Sequence, residues 1–393
     1  MSIVDKYLNT NVVNKIRING EYLDSDYENV VSPYNGEVIG QVGDGTTEHL
    51  DKAVDIAFDA LKNPVPVNAR AEILDRAALK IQEYKADFAK LIASEAAKPI
   101  STAAIEVERA IQTFLFSAAV ARTYSGDMIA LDAHPSGQDK LAFTLREPIG
   151  VVAAIAPFNF PLNLVAHKVA PAIAAGCPTV LKPATATPLT SAALVDLLID
   201  ECGLHPSFLS FLPCAGSVAA SFSENDKVAM ISFTGSPGVG WSIREAAPKK
   251  KVALELGNNA PVIVEADADI EKAVNAVAAS GYAFQGQSCI SVQRVYVNEK
   301  IEADFVELLK AKVEQLVVGD PLDEATNVSS LIQASETDRV MSWVSQAENG
   351  GAQVVTGAQV QERVMLPTLL RNTQDSMDVC LKEVFGPVVS VMS

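Results

Sequence analysis

Val228-Ala229-Met230-Ile231-Ser232-Phe233-Thr234-Gly235-Ser236-Pro237-Gly238-Val239-Gly240 begins as an apolar run and ends as a glycine-rich turn. The first half reads as a buried strand, and the second opens a helix near Ser236. Glycines at such a junction let the backbone approach a phosphate held at the helix N-terminus. The spacing is not the usual dinucleotide fingerprint, and a tight turn with no ligand fits the same residues. What decides the fold is that the transition recurs. Apolar runs at Gly150 to Ala156, Thr179 to Leu181 and Phe208 to Leu212 alternate with helical stretches starting near Pro161, Pro188 and Ser217. That alternation predicts an α/β fold, a parallel sheet with helices on both faces. The beat resumes after Val252, with strands near Val262 to Val264 and Arg294 to Val297 and helices near Asp269 to Ala283 and Lys300 to Val317. A second α/β unit is expected there.

Upstream the rhythm differs. Turn residues at Ser32-Pro33-Tyr34-Asn35-Gly36 mark an irregular opening, and helical periodicity then runs from about Thr47 to Thr123, interrupted at Asn63-Pro64 and Lys98-Pro99. These read as long surface helices. From Ser125 to Arg146 a short polar and apolar alternation around His134-Pro135-Ser136-Gly137 predicts a two-stranded excursion, which alone is marginal and should pack on something else.

Composition bounds the function. The chain has 393 residues, 49% hydrophobic and 20% charged, enough for two or three domains. Its net charge of −17 is scattered over the chain, so a nucleic-acid partner is not expected. Five cysteines, Cys177, Cys202, Cys214, Cys289 and Cys380, are odd in number and form no close pair. This spacing suits a reducing, cytoplasmic compartment. No apolar run is long enough to span a bilayer and the start lacks a signal-peptide pattern, so no membrane partner is expected either.

Several stretches could carry chemistry. Gly286-Gln287-Ser288-Cys289-Ile290-Ser291 and Leu254-Glu255-Leu256-Gly257 offer a thiol and a carboxylate, the nucleophile and the base of covalent acyl chemistry. A lone cysteine is more often a small buried hydrophobe. Glu255 lies within Val252-Ala253-Leu254-Glu255-Leu256, where burial would make an unpaired carboxylate costly and perturb its pKa. Pro157-Phe158-Asn159-Phe160-Pro161 is a rigid turn that could aim the Asn159 amide at an oxyanion, or simply satisfy loop backbone groups. Lys182, in Leu181-Lys182-Pro183-Ala184, could hold a ribose or phosphate, or be a solvated strand end.

Taken in order, Pro157-Phe158-Asn159-Phe160-Pro161, Lys182-Pro183, Phe233-Thr234-Gly235-Ser236, Leu254-Glu255-Leu256-Gly257, Gly286-Gln287-Ser288-Cys289 and Glu383-Val384-Phe385-Gly386-Pro387 resemble the motifs of the aldehyde dehydrogenase superfamily over nearly the whole chain. The wording around Asn159 to Lys168 and Gly286 to Arg294 is most similar to the branch that includes lactaldehyde, phosphonoacetaldehyde and non-phosphorylating glyceraldehyde-3-phosphate dehydrogenases. The resemblance implies a Rossmann-type NAD(P)-binding domain over 1–253, with 125–145 a protruding oligomerisation hairpin, and a catalytic domain over 254–393. It implies oxidation of a small aldehyde to its acid through a thiohemiacetal and a thioester on Cys289, with Asn159 and the Cys289 N–H holding the oxyanion and Glu255 activating water. NAD or NADP would be bound by Lys182, Thr185, Gly235, Ser236, Gly240, Leu256, Glu383 and Phe385.

Where relatives commonly place a glutamate three residues after the lysine, Thr185 implies that NADP is accepted. Asn258-Asn259 follow Gly257 where a second glycine is commonest. Arg109, in Glu106-Val107-Glu108-Arg109-Ala110, matches a position where relatives with anionic substrates carry arginine; the alternative is a helix-surface salt bridge. His167 and Lys168, about two helical turns past Asn159, could face the same tunnel or pack. Relatives form homodimers or homotetramers and continue for several tens of residues past the Glu-x-Phe-Gly-Pro motif, so a chain ending at Ser393 is expected to have an incomplete catalytic domain. Two other readings are a CoA-acylating semialdehyde dehydrogenase, a branch that generally lacks the glutamate at Glu255, and a catalytically silent binding protein.

Overall fold

The computed structural model describes residues 3–393. Seven strands form the first sheet: β1 (Ile16–Ile18), β2 (Glu21–Leu23), β3 (Val151–Ile155), β4 (Thr179–Lys182), β5 (Leu209–Phe211), β6 (Val228–Thr234) and β7 (Lys251–Glu255). Their spatial order is β7-β6-β3-β4-β5-β1-β2. The strands from β3 to β7 run parallel, and the β1-β2 hairpin joins antiparallel at the edge. From the central β3 the chain moves outward to β4 and β5, then returns to β6 and β7 on the other side. That reversal opens a crevice at the carboxyl ends of β3 and β6, where open α/β sheets bind their ligands. β3 and β4 are buried almost throughout, which is why they read as unbroken apolar runs: helices cover both faces.

The second sheet contains β8 (Pro261–Val264), β9 (Arg294–Val297), β10 (Gln353–Thr356), β11 (Thr368–Arg371) and β12 (Val388–Met392). Its order is β8-β9-β12-β11-β10, with only β10 antiparallel. It has its own core, built on Val295, Phe305, Leu309, Leu369 and Val389.

Four helices fill the expected stretch, α1 (Thr47–Ala60), α2 (Val67–Glu83), α3 (Lys85–Ala96) and α4 (Ile100–Thr123). The expectation that they lie on the surface is corrected for α3 and α4. Phe88, Leu91, Ile92 and Phe114 are fully buried in one cluster with α5 (Asn163–Ala175) and α6 (Leu189–Asp196). Alanines such as Ala89, Ala103, Ala110 and Ala118 line that contact and leave little side chain between the backbones. Periodicity reports one apolar face, and says less about what covers the other. Glu95 shows the consequence: fully buried in α3, it accepts the Leu189 and Thr190 N–H groups at 2.8 and 3.0 Å and so caps α6.

The irregular opening contains more order than expected. β1 and β2 turn through Asn19 and Gly20, both at positive φ (51° and 81°), a left-handed pair suited to a tight hairpin. The expected excursion is small, Met128–Ile129 pairing with Ala142–Phe143. It carries Met128, Leu141, Phe143 and Leu145 at 60% to 74% exposure. Among the described residues, no helix is long and apolar enough to cross a membrane.

Candidate active site

A cleft of about 900 Å³ opens at the carboxyl ends of β3, β4 and β6. Lys182 ends β4 and Thr185 follows it; Gly235 and Ser236 link β6 to α7 (Pro237–Ala246), and all four line the cleft. The Gly235 N–H donates to Glu255 O at 3.0 Å, tying the ends of β6 and β7 together. Gly238 faces open space, since a Cβ there would meet nothing within 4 Å. Gly240, expected at the cofactor, does not line the cleft but lies on the buried face of α7, where a Cβ would stand 2.4 Å from Leu256 Cδ2. Two residues, roughly 200° of helix rotation, separate the two glycines, so one faces the cleft and the other the sheet.

At the far end Glu383 and Phe385 join the lining. A Cβ on Gly257 would fall 2.2 Å from Glu383 Oε2, and Asn258 N–H donates to Glu383 Oε1 at 3.0 Å. The Gly257–Asn258 backbone therefore locates this carboxylate. Burial pushes the Glu383 pKa up against the pull of that N–H and of Arg339. Phe385 meets Phe158 edge-on at 5.9 Å.

Cys289 faces the same cleft and is the partly exposed member of the five cysteines; the other four are buried. Its loop is unusual. Phe284, Gln285 and Gly286 are consecutively left-handed, at φ 47°, 56° and 71°. Gln285 Nε2 donates to Ala97 O and Ser330 O at 2.8 and 2.9 Å, and Gln287 Oε1 accepts the Ile332 N–H at 2.9 Å. A Cβ on Gly286 would sit 2.0 Å from Gly386 O, so this loop abuts the Glu383–Pro387 segment with no room between. Asn159 is buried and its Nδ2 donates to Gln287 O at 3.0 Å. A carbonyl only accepts, so the amide nitrogen must face it. Burial, then the charges of Glu383 and Glu255, push the Cys289 thiol above its ordinary pKa.

Glu255 departs from expectation. The apolar run around it suggested burial, but β7 is an edge strand with partly exposed residues, and the carboxylate at its end is exposed. Its charge is still felt by Cys289, His167 and Lys168. Lys168 is buried and packs into the sheet, donating to Thr234 Oγ1 at 2.7 Å; desolvation brings its pKa down to about 8. Arg109 and His167 line a separate hollow of about 750 Å³ between α4 and α5, with Gln112, Thr113 and Asn163. Neither borders the Cys289 cleft. The alternative reading of Arg109, a helix-surface ion pair, is not formed among the described residues; adjacent Glu108 pairs with Lys85 instead.

Four further residues at or behind the cleft have no motif of their own in the sequence. Glu336 and Arg339 reach it from one helix, with Arg339 donating to Val384 O at 2.8 Å. Lys98 and Glu106 are fully buried beside Asn159. The break at Lys98-Pro99 was legible as punctuation only, and nothing local marks Glu106.

Residues 22–393 match the pattern of the aldehyde dehydrogenase family. A 3-sulfolactaldehyde dehydrogenase of Priestia aryabhattai is 42% identical over 376 residues, which cover 95% of this chain and 79% of the relative. A lactaldehyde dehydrogenase of Methanocaldococcus jannaschii is 38% identical over 382 residues, covering 95% and 81%. Among solved structures, the glyceraldehyde-3-phosphate dehydrogenase of Methanocaldococcus jannaschii complexed with NADP superposes with a TM-score of 0.89 at 38% identity, over 94% of this chain and 80% of the other.

Proposed function

This chain belongs to the aldehyde dehydrogenase family, and from that premise we propose which residues carry its reaction and which aldehydes it takes. Its activity is the oxidation of a small aldehyde to the carboxylic acid with NAD or NADP. The observation that carries the assignment of residues is the half-exposed thiol of Cys289 in a cleft shared with Asn159, Glu383 and the start of α7.

The cleft fits a dinucleotide. Gly238 leaves open space at the N-terminus of α7, where Gly235 and Ser236 would hold the pyrophosphate. Lys182 and Thr185 would face the adenosine ribose, while Glu383, set by Gly257 and Asn258, would accept from the nicotinamide ribose and Phe385 would pack beside it. Leu256, which also lines the cleft, supplies apolar contact. A nicotinamide held there would supply the hydride acceptor for the oxidation. Thr185 carries no charge to repel a 2′-phosphate, which supports use of NADP.

Cys289 Sγ attacks the aldehyde carbon and forms a thiohemiacetal. Gln287 O engages the Asn159 Nδ2 and leaves that amide a second N–H for the developing oxyanion, alongside the Cys289 N–H. After oxidation the acyl group remains on Cys289 as a thioester. Glu255, exposed at the strand end, takes a proton from the water that releases the acid.

For the substrate we infer a small hydroxylated or anionic aldehyde, entering past Arg109 and His167. The relatives named for 3-sulfolactaldehyde, lactaldehyde and glyceraldehyde 3-phosphate support that class, and the unpaired Arg109 supplies a planar charge for it. The exposed apolar residues of the 128–143 hairpin suit a homodimer or homotetramer, and five unpaired cysteines suit the cytoplasm. The test mixes purified protein and NADP with lactaldehyde, a phosphorylated aldehyde and propanal. Reduced cofactor should appear in a burst with the first two and be absent in Cys289→Ala. Equal turnover of propanal would remove the substrate class, and a burst surviving in Cys289→Ala would remove the mechanism.

A further inference from the structure

One side chain that borders no part of the cleft reaches both loops of the site. Lys98 lies in the short link between α3 and α4, and it and Glu106 are fully buried. Its Nζ donates to Glu106 Oε2 and, at 2.6 Å, to the carbonyl oxygen of Asn159. The same nitrogen stands 3.8 Å from the ring centre of Phe160 and 4.3 Å from that of Phe284. Phe160 follows Asn159, and Phe284 starts the left-handed run leading to Cys289. The link holds that run a second time, because Ala97 O accepts from Gln285 Nε2. Glu106 uses its other oxygen to accept the N–H groups of Leu162 and Asn163 at 2.9 and 3.1 Å, which closes the turn after Asn159.

We propose that Lys98, with Glu106 as its counter-ion, is the positioning residue of the oxyanion site, setting the spacing between the Asn159 amide and Cys289 by joining their two loops at one ammonium group. A buried ion pair is an expensive way to fill a core, and apolar side chains of similar volume often stabilise as well or better. An apolar side chain cannot, however, donate to the Asn159 carbonyl, and it cannot attract two ring faces at once. Apart from the ion pair with Glu106 in α4, the interactions that distinguish a lysine here therefore fall on the two loops. Lys98 acts through Asn159, so the inference rests on the role proposed above for that amide.

The test measures kcat per active site, counted by burst amplitude, for the full chain and for Lys98→Met, Asn159→Ala and the double variant. Lys98→Met should lower kcat per titrated site by roughly tenfold to a hundredfold, the size of effect expected from a small misplacement of a catalytic group. The KM for aldehyde and for NADP should each stay within about twofold, since uniform binding is untouched. In the Asn159→Ala background the same substitution should cost less than about twofold, because coupled residues are non-additive. A lower melting temperature with unchanged kcat per site, or losses that multiply in the double variant, would overturn the proposal. If Asn159→Ala itself leaves kcat unchanged, the oxyanion role is what fails. Glu106→Gln keeps the acceptor while removing the charge and decides the matter if Lys98→Met does not fold: it should lower kcat per site in the same direction, and an unchanged value would count against Lys98.

Discussion

The two sides of the proposed reaction centre are held in opposite ways. The Cys289 loop is fixed by three successive left-handed residues, two hydrogen bonds from Gln285, one to Gln287 and the Asn159 amide. Glu255 projects from the end of an edge strand into solvent. Left-handed backbone costs roughly 1 to 2 kcal/mol per non-glycine residue, so the loop needs those bonds to persist. The contrast fits the chemistry. A nucleophile works at one angle of attack, whereas a base that serves a water after the thiol has reacted gains from reach.

The largest expected effect is that of Cys289→Ala, which should lower turnover on the order of 10⁴-fold or more, as loss of a nucleophile does elsewhere; stopped-flow cofactor fluorescence checks it. Next, Glu255→Gln should keep the burst and slow the steady state by about 10² to 10⁴. Loss of the burst as well would mean that the exposed carboxylate acts before the thioester, and the division of labour between the two sides would fail. Asn159→Ala should slow burst and steady state alike by about 10² to 10³, the usual cost of one oxyanion donor.

The contrast also predicts stabilities. Gln285→Ala removes two buried hydrogen bonds and should cost about 2 kcal/mol by urea titration, while Glu255→Gln should stay within about 0.5 kcal/mol of the parent chain. The smallest effect concerns pH. The negative charges of Glu383 and Glu255 oppose the Cys289 thiolate, so Glu255→Gln should move alkylation of Cys289 by iodoacetamide to lower pH. A move to higher pH would show Glu255 acting as the thiol's own base.

What the sequence disclosed follows from how local each signal is. β3 and β4 are covered on both faces, so their apolar runs are unbroken, and the ligand-binding crevice follows from their order beside the partly buried β6. Cys289, Asn159, Lys182 and Ser236 stand in short contiguous motifs beside those strands. Glu255 was misjudged because a run of apolar neighbours does not tell an edge strand from a central one. Gly240 stands two residues from the glycine that faces the cleft, and a motif read without its helix phase does not tell the two apart. Lys98 and Glu106 were silent for a different reason: their partner loop starts at Asn159, and a contact across that separation leaves no mark in local composition. α3 and α4 likewise read as surface helices because alanines dilute the signal of a helix covered on most sides.

The fit between Gly286 and Gly386 has a consequence for how such a chain can change. A methyl group on Gly286 would lie 2.0 Å from the Gly386 carbonyl oxygen, although neither glycine takes part in bond making. In a saturation library, Gly286 should be nearly invariant among active clones. Rare survivors should carry compensating shifts in the Glu383–Pro387 segment, so that two stretches far apart in the gene are inherited as one unit.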